Sequence, residues 1–198
     1  SEEVEKLGRM IRDLDVFHHP LSVHNEPEAQ TLGQAGDPYR DSEWSSYSII
    51  QGPKTLDRHL INTVLLRNHH HSKPLLAQET LWSGAKSQPA YTDENLRKNA
   101  YVIQMSGASF VFADLAGNSS TGFTGSMELA ERNQPRHDIV KKVWDFFKTI
   151  PYYDMKPRQE LVSQGYCLAL TGCHYLVYLY NGGTVDVKIE KSPYQATW

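Results

Sequence analysis

A chain of 198 residues is long enough for one well-filled core, or for one and a half domains. Charged residues make up 22% and apolar residues 39%, the balance of a soluble globular protein. The formal net charge of −3, with no cluster of Lys and Arg, argues against a nucleic-acid partner, and no apolar run approaches the length that spans a membrane.

Val4, Leu7, Ile11 and Leu14 recur at helical spacing, with Glu2, Glu3 and Glu5 in the first turn, where the helix dipole favours acids. The helical pattern starts at the first residues with no signal peptide ahead of it, as at a cut in a longer chain. His18-His19 follow the helix C-terminus, where the dipole welcomes positive charge. Pro20 excludes further helix, and Leu21 to His24 is a short apolar run expected to form a buried strand. Residues 25–45 are polar and rich in turn formers. Tyr47 to Gln51 is a second short strand, broken by Gly52-Pro53. Thr55 is the expected cap of the next helix, whose apolar face holds Leu56, Leu60 and Val64.

Pro74 to Gln78 is a third strand, with Glu79 at its C-terminal end. Thr92 caps a helix with Asp93 and Glu94 in its first turn and Leu96, Ala100 and Ile103 inward; Gly107 stops it. Ser109 to Ala113 is a fourth strand ending at Asp114. A glycine-rich loop covers 117–125, and a helix covers about 137–148 with Ile139, Val140, Val143, Phe146 and Phe147 inward. The period then changes. Residues 160–162, 166–170, 174–180 and 184–189 read as antiparallel strands, with Asn181-Gly182-Gly183 as a hairpin signal. Cys167 and Cys173 fall on one hairpin turning at Thr171-Gly172. A two-residue turn there pairs Leu170 with Cys173 and Cys167 with Leu176, sends the two sulfurs to opposite faces, and leaves both thiols free.

Short apolar strands alternating with helices argue for a parallel sheet covered on both faces. Such sheets carry their functional groups at the strands' C-terminal ends. The residues at the four expected ends are His24, Gln51, Glu79 and Asp114, a polar set in otherwise apolar strands.

Five stretches, RMIRDLDVFHHPLSVHN, KPLLAQETLW, RKNAYVIQMSGASFVFAD, SMELAERNQPRHDIVKKVWDFFKTI and YLVYLYNGGTVDVKI, together resemble the apiosidase-like glycoside hydrolases in order and spacing. The resemblance implies the C-terminal half of a (β/α)8 barrel over 1–150, with strands 5–8 and their helices, followed over 151–198 by the start of an antiparallel β-domain. It implies a secreted or periplasmic protein that needs no cofactor and acts on a carbohydrate. Glu79 matches the strand-7 glutamate, the nucleophile of a retaining mechanism. Its partner, the acid/base at the end of strand 4, is expected to lie outside this chain.

Glu26, in Asn-Glu-Pro, mimics an Asn-Glu strand-4 signature. Only one strand lies between it and Glu79, however, so it is placed after strand 5, lining the cleft. Trp82 and Tyr91, and Trp44 ahead of the 47–51 strand, offer faces on which sugar rings stack, or they pack their own loops. His24, Gln51, Asp114 and Asn118 can hydrogen-bond sugar hydroxyls. A glutamate ending a buried strand can also serve as a structural ion-pair partner. His69-His70-His71 are consecutive in a loop at the opposite end of the strands and read as a solvated turn, with no metal site expected. No glycine loop has the setting of a phosphate site. A half-barrel leaves open sheet edges and apolar helix faces, so self-association or a missing N-terminal half is expected. The alternative to hydrolysis is a non-catalytic carbohydrate-binding or interaction fragment.

Overall fold

The computed structural model describes residues 1–24, 36–52, 55–69, 72–82, 92–113 and 135–197; at Glu79, Trp82, Ala113, Pro135 and Arg136 the description is of the backbone alone. Helix α1 covers Glu2–Leu14, and its Ser1 N-cap accepts from the Val4 N–H. Strand β1 (Ser48–Gln51) leads to α2 (Arg58–Asn68), β2 (Leu75–Trp82), α3 (Asp93–Met105), β3 (Ser109–Ala113) and α4 (Pro135–Phe147). Three further strands follow: β4 (Lys156–Pro157), β5 (Tyr166–Leu170) and β6 (His174–Tyr178).

Among the described residues, β1, β2 and β3 form a parallel sheet in that order, and β4, β5 and β6 a separate antiparallel one. The expected switch from βα units to antiparallel strands is therefore observed. Ile50, Ala77 and Leu81 are fully buried between the parallel sheet and its helices. Helix α3 lies at the centre. Thr92 caps it, as expected, and Leu96, Ala100 and Ile103 are fully buried, but so are Val102 and Met105 on its other side. The second sheet covers that other side. Tyr166 and Leu168 of β5 share one apolar core with α3 and α4, and the rings of Tyr101 and Tyr178 stack at 4.9 Å. Gly107 ends α3 at φ +74°, a left-handed position that favours glycine.

Several local expectations are corrected. Leu21 to His24 forms no strand. It runs beside the start of β1, where the Ser46 N–H donates to the Leu21 carbonyl and the Ser22 hydroxyl to that of Tyr47. The α2 cap is Asp57, whose carboxylate accepts from the N–H groups of His59 and Leu60, while Thr55 accepts from Asp57 one step earlier. The hairpin register is shifted by one residue. Leu170 pairs with His174 and Cys167 with Val177, because the connection holds three residues, not two. Gly172 at φ +83° closes it, with the Cys173 N–H donating to the Leu170 carbonyl. Both thiols are free, as expected, but Cys167 is buried in the strand while Cys173 is exposed in the turn. Residues 159–161 form a 3-10 turn. The 184–189 stretch does not pair with β6; it meets Val162 through a single bridge at Val187.

Helix α1 is attached by its polar side. Gly8 is its buried residue, because a side chain there would collide with the Trp44 indole: a built Cβ lies 2.3 Å from its nearest ring carbon. Arg12 donates to the Trp44 carbonyl and the Ser46 hydroxyl, each at 2.7 Å. The Glu5 carboxylate accepts from the Ser42 hydroxyl and, at 2.8 Å, from the Trp44 indole N–H. Those two bonds, with Ser42 the larger influence, hold the Glu5 carboxyl below its ordinary range. A depressed carboxylate contributes stability that is fully present above the unfolded value of about 4.3 and is lost as pH falls through the lower folded value. The NMR resonance of the Trp44 indole N–H should therefore move with an apparent pKa below about 4.3. In Glu5→Gln that step should vanish; its persistence would separate Glu5 from the attachment of α1.

Candidate active site

The C-terminal ends of the parallel strands bring the expected residues to one rim only in part. Gln51 ends β1 and is paired in register with Gln78 of β2. Beyond that pair β1 stops. Gly52 turns the chain away at φ +90°, and its N–H donates to the Gln78 carbonyl at 3.0 Å. Strand β2 does not stop. It runs four residues past Gln78 to Trp82, so Glu79 lies inside the strand and not at its last residue.

The continuation is irregular. Ala77 pairs with Phe110 of β3, and the next pair is Leu81 with Phe112. Gln78, Glu79 and Thr80 thus stand opposite the single residue Val111. Such a bulge re-aims the side chains it carries, and bulges are frequent beside active sites. Glu79 is its middle residue. Thr80 and Leu81 are both fully buried, as both faces of the sheet are covered. Thr80 is held by its hydroxyl, which donates to the Gly52 carbonyl at 3.2 Å. The bulge is therefore fixed to the end of β1 on one side, and β3 lies on the other. Trp82, the last residue of β2, is paired with Ala113, the last of β3.

The remaining sequence-predicted residues divide clearly. Asp114 directly follows Ala113, and it, Asn118, Glu26 and Tyr91 lie outside the described residues. His24 is exposed and stands at no strand end. Trp44 is buried beneath α1, 3% exposed, so it offers no face to a sugar. His69 is the C-terminal cap residue of α2, at the opposite end of the sheet from Glu79; His70 and His71 lie outside the described residues. Among the described residues no group of three His, Cys, Asp or Glu side chains is placed to hold a metal ion, and no helix is long and apolar enough to cross a membrane. Sequence reading missed Thr80 and Gly52, which pin the bulge. Their signal was present: three polar residues, Gln78-Glu79-Thr80, interrupt an otherwise apolar strand.

The chain is similar to a glycoside hydrolase family 5 protein from Bacteroides vulgatus, at TM-score 0.56 and 13% identity over 82% of this chain and 42% of that one. It is similar also to a second glycoside hydrolase, at TM-score 0.57 and 13% identity over 84% of this chain and 44% of the other. No protein-family model and no curated protein matches the chain. The fold is a glycoside hydrolase-like half-barrel with a separate antiparallel sheet. The chain spans under half the length of the structures it matches.

Proposed function

We propose that this chain supplies the nucleophile side of a retaining glycoside hydrolase, with Glu79 as the nucleophile. The observation that carries the reading is the position of Glu79: the centre of a pinned bulge at the C-terminal rim of the middle parallel strand, in a glycosidase-like fold. Retaining hydrolysis needs two carboxyl groups about 5–5.5 Å apart. The Glu79 carboxylate attacks the anomeric carbon as the glycosidic C–O bond breaks, and the leaving oxygen takes a proton from the second carboxyl. Water, deprotonated by that same group, then cleaves the glycosyl ester and releases the sugar with its configuration retained.

The second carboxyl comes from outside the 198 residues. Gln51, His24, Glu26, Asp114 and Asn118 are proposed to bind sugar hydroxyls, and Trp82 and Tyr91 to stack on its apolar face. No cofactor takes part. Among glycosidases, the order and spacing of the stretches around Glu79 favour the apiosidase-like group.

A 2-deoxy-2-fluoro glycoside with a good leaving group tests the assignment, because it slows release of the covalent intermediate more than its formation. Incubated with the protein in its native assembly, it should add one glycosyl unit to the peptide holding Glu79. An adduct on another carboxylate would move the nucleophile elsewhere. Carbohydrate binding with no adduct would leave a non-catalytic carbohydrate-binding chain.

A further inference from the structure

A cleft of about 270 Å³ opens at the end of the parallel strands opposite Glu79. Four segments meet there: His69 at the end of α2, Lys73 and Leu75 at the start of β2, Gly107 and Ser109 between α3 and β3, and the 152–156 link to the antiparallel sheet. The walls are fixed. The Tyr152 hydroxyl donates to the Gln104 and Ala108 carbonyls, at 3.2 and 3.0 Å, and Met155 is buried in the core. Gly107 leaves room for the His69 ring, since a Cβ there would lie 2.7 Å from it. Tyr153 stands at the mouth, 96% exposed, with its ring 5.9 Å from that of Tyr152. A single exposed aromatic is ordinary. One at the edge of a cleft with fixed walls is a platform on which a ring can stack.

We propose that this cleft is a second carbohydrate site, separate from the rim of Glu79, and that it takes one acidic sugar unit, a hexuronate, of a polysaccharide chain. Charge selects the acid. Lys73 and Lys156 line the cleft, and among the described residues no Asp or Glu does. A cleft lined by one sign of charge focuses its potential and draws the opposite sign. Lys73 is held in place, its ammonium donating to the Arg40 and Ser42 carbonyls at 2.7 and 2.8 Å, so its charge needs no ordering when a ligand arrives. Stacking selects the sugar. A pyranose offers Tyr153 an apolar C–H face and turns its hydroxyl edge toward polar groups such as the exposed Ser109. The volume lies just below the roughly 300 Å³ at which pockets for small ligands begin, which is room for one sugar unit with the rest of its chain outside. The site lies at the other end of the strands and stands without the role given to Glu79, so the two fail separately.

Calorimetric titration of the protein in its native assembly tests this, in a Glu79→Gln background so that no probe is cut. The probes are trimers of galacturonic, glucuronic and mannuronic acid, the same trimers with their carboxyl groups reduced to alcohols, and acetate. At least one acidic trimer should bind, with its reduced form about tenfold weaker and acetate showing no saturation. Tyr153→Ala, at a position too exposed to disturb the fold, should weaken that trimer about tenfold at unchanged Tm, while Tyr153→Phe keeps the stacking face and stays within about twofold. Lys156→Gln should weaken the acidic trimer several-fold and leave the reduced one as it was. Binding untouched by Tyr153→Ala would place the ligand elsewhere and overturn the proposal. Equal affinity for acidic and reduced trimers would overturn the acidic class, and saturation by acetate would leave only an anion site. Failure of all three acidic trimers to bind would leave no sugar site in this cleft.

Discussion

Glu79→Gln is expected to lower kcat by about 10⁴-fold in the native assembly, while Kd for an unreacted glycoside changes little. Glutamine keeps the size and the hydrogen-bonding capacity of the side chain but cannot form the glycosyl ester. Binding therefore survives and bond formation does not. The competing role for Glu79 is that of a structural ion-pair partner, and it makes a different prediction. Removing one member of a buried pair leaves an unpaired charge, at a cost of about 3–5 kcal/mol. That would lower Tm sharply and affect binding and turnover together. A nucleophile predicts loss of kcat with Tm near the wild-type value. Added azide provides a second readout in Glu79→Ala, where the space vacated admits a small anion. Partial turnover to a glycosyl azide of inverted configuration is expected. Undiminished kcat in Glu79→Gln would remove Glu79 from the chemistry.

Gly165→Ala is expected to lose about 3 kcal/mol of stability, and Gly182→Ala about 1 kcal/mol. Both glycines have left-handed backbone, φ +80° and +69°. They differ in what surrounds them. A Cβ on Gly165 would lie 2.6 Å from the Tyr178 carbonyl oxygen and 2.4 Å from a Leu179 methyl, and the carbonyl belongs to backbone that cannot yield cheaply. Nothing lies within 4 Å of the same atom on Gly182. Only the conformational cost is common to both. In a domain of this size, 3 kcal/mol corresponds to a fall of about 6–12 °C in Tm. Thermal unfolding of the two variants side by side decides the matter. Equal shifts would mean that the contact with β6 contributes nothing.

The parallel half of the fold was legible because its strands are short apolar runs punctuated by strong breakers. Gly52, the Thr92 cap and Gly107 each mark a boundary that the chain observes. The antiparallel half was legible in type and wrong in detail. The 166–170 strand has its expected bounds, but Thr171-Gly172 reads as a two-residue turn and the loop holds three. In a sheet with side-chain period 2, that single residue changes every partner. The 184–189 stretch alternates like a strand yet finds its partner at Val162, a tertiary choice that no local pattern encodes. Trp44 was left open between stacking and packing, because sequence does not reveal that Gly8, thirty-six positions earlier, leaves room for its indole. At the rim, residue type pointed to Gln51 and Glu79 as strand ends; Gln51 ends its strand, and Glu79 lies inside its own. The bulge around Glu79 depends on how β2 matches β3, and pairing across strands is not written in either strand alone.

The position of α3 bears on how this protein can be dissected. Its residues are buried on both sides, Leu96, Ala100 and Ile103 on one and Val102 and Met105 on the other, and they share one apolar core with the parallel strands and with β5. The guanidinium of Arg58 on α2 lies 5.1 Å from the centre of the Tyr180 ring, a second tie between the halves. A truncation after Ile150, natural as it looks on the change of periodicity, would strip the helix that supports the rim of half its cover. The C-terminal strands are better regarded as the back wall of the parallel half than as an appendage, and they belong in any minimal version of the fold.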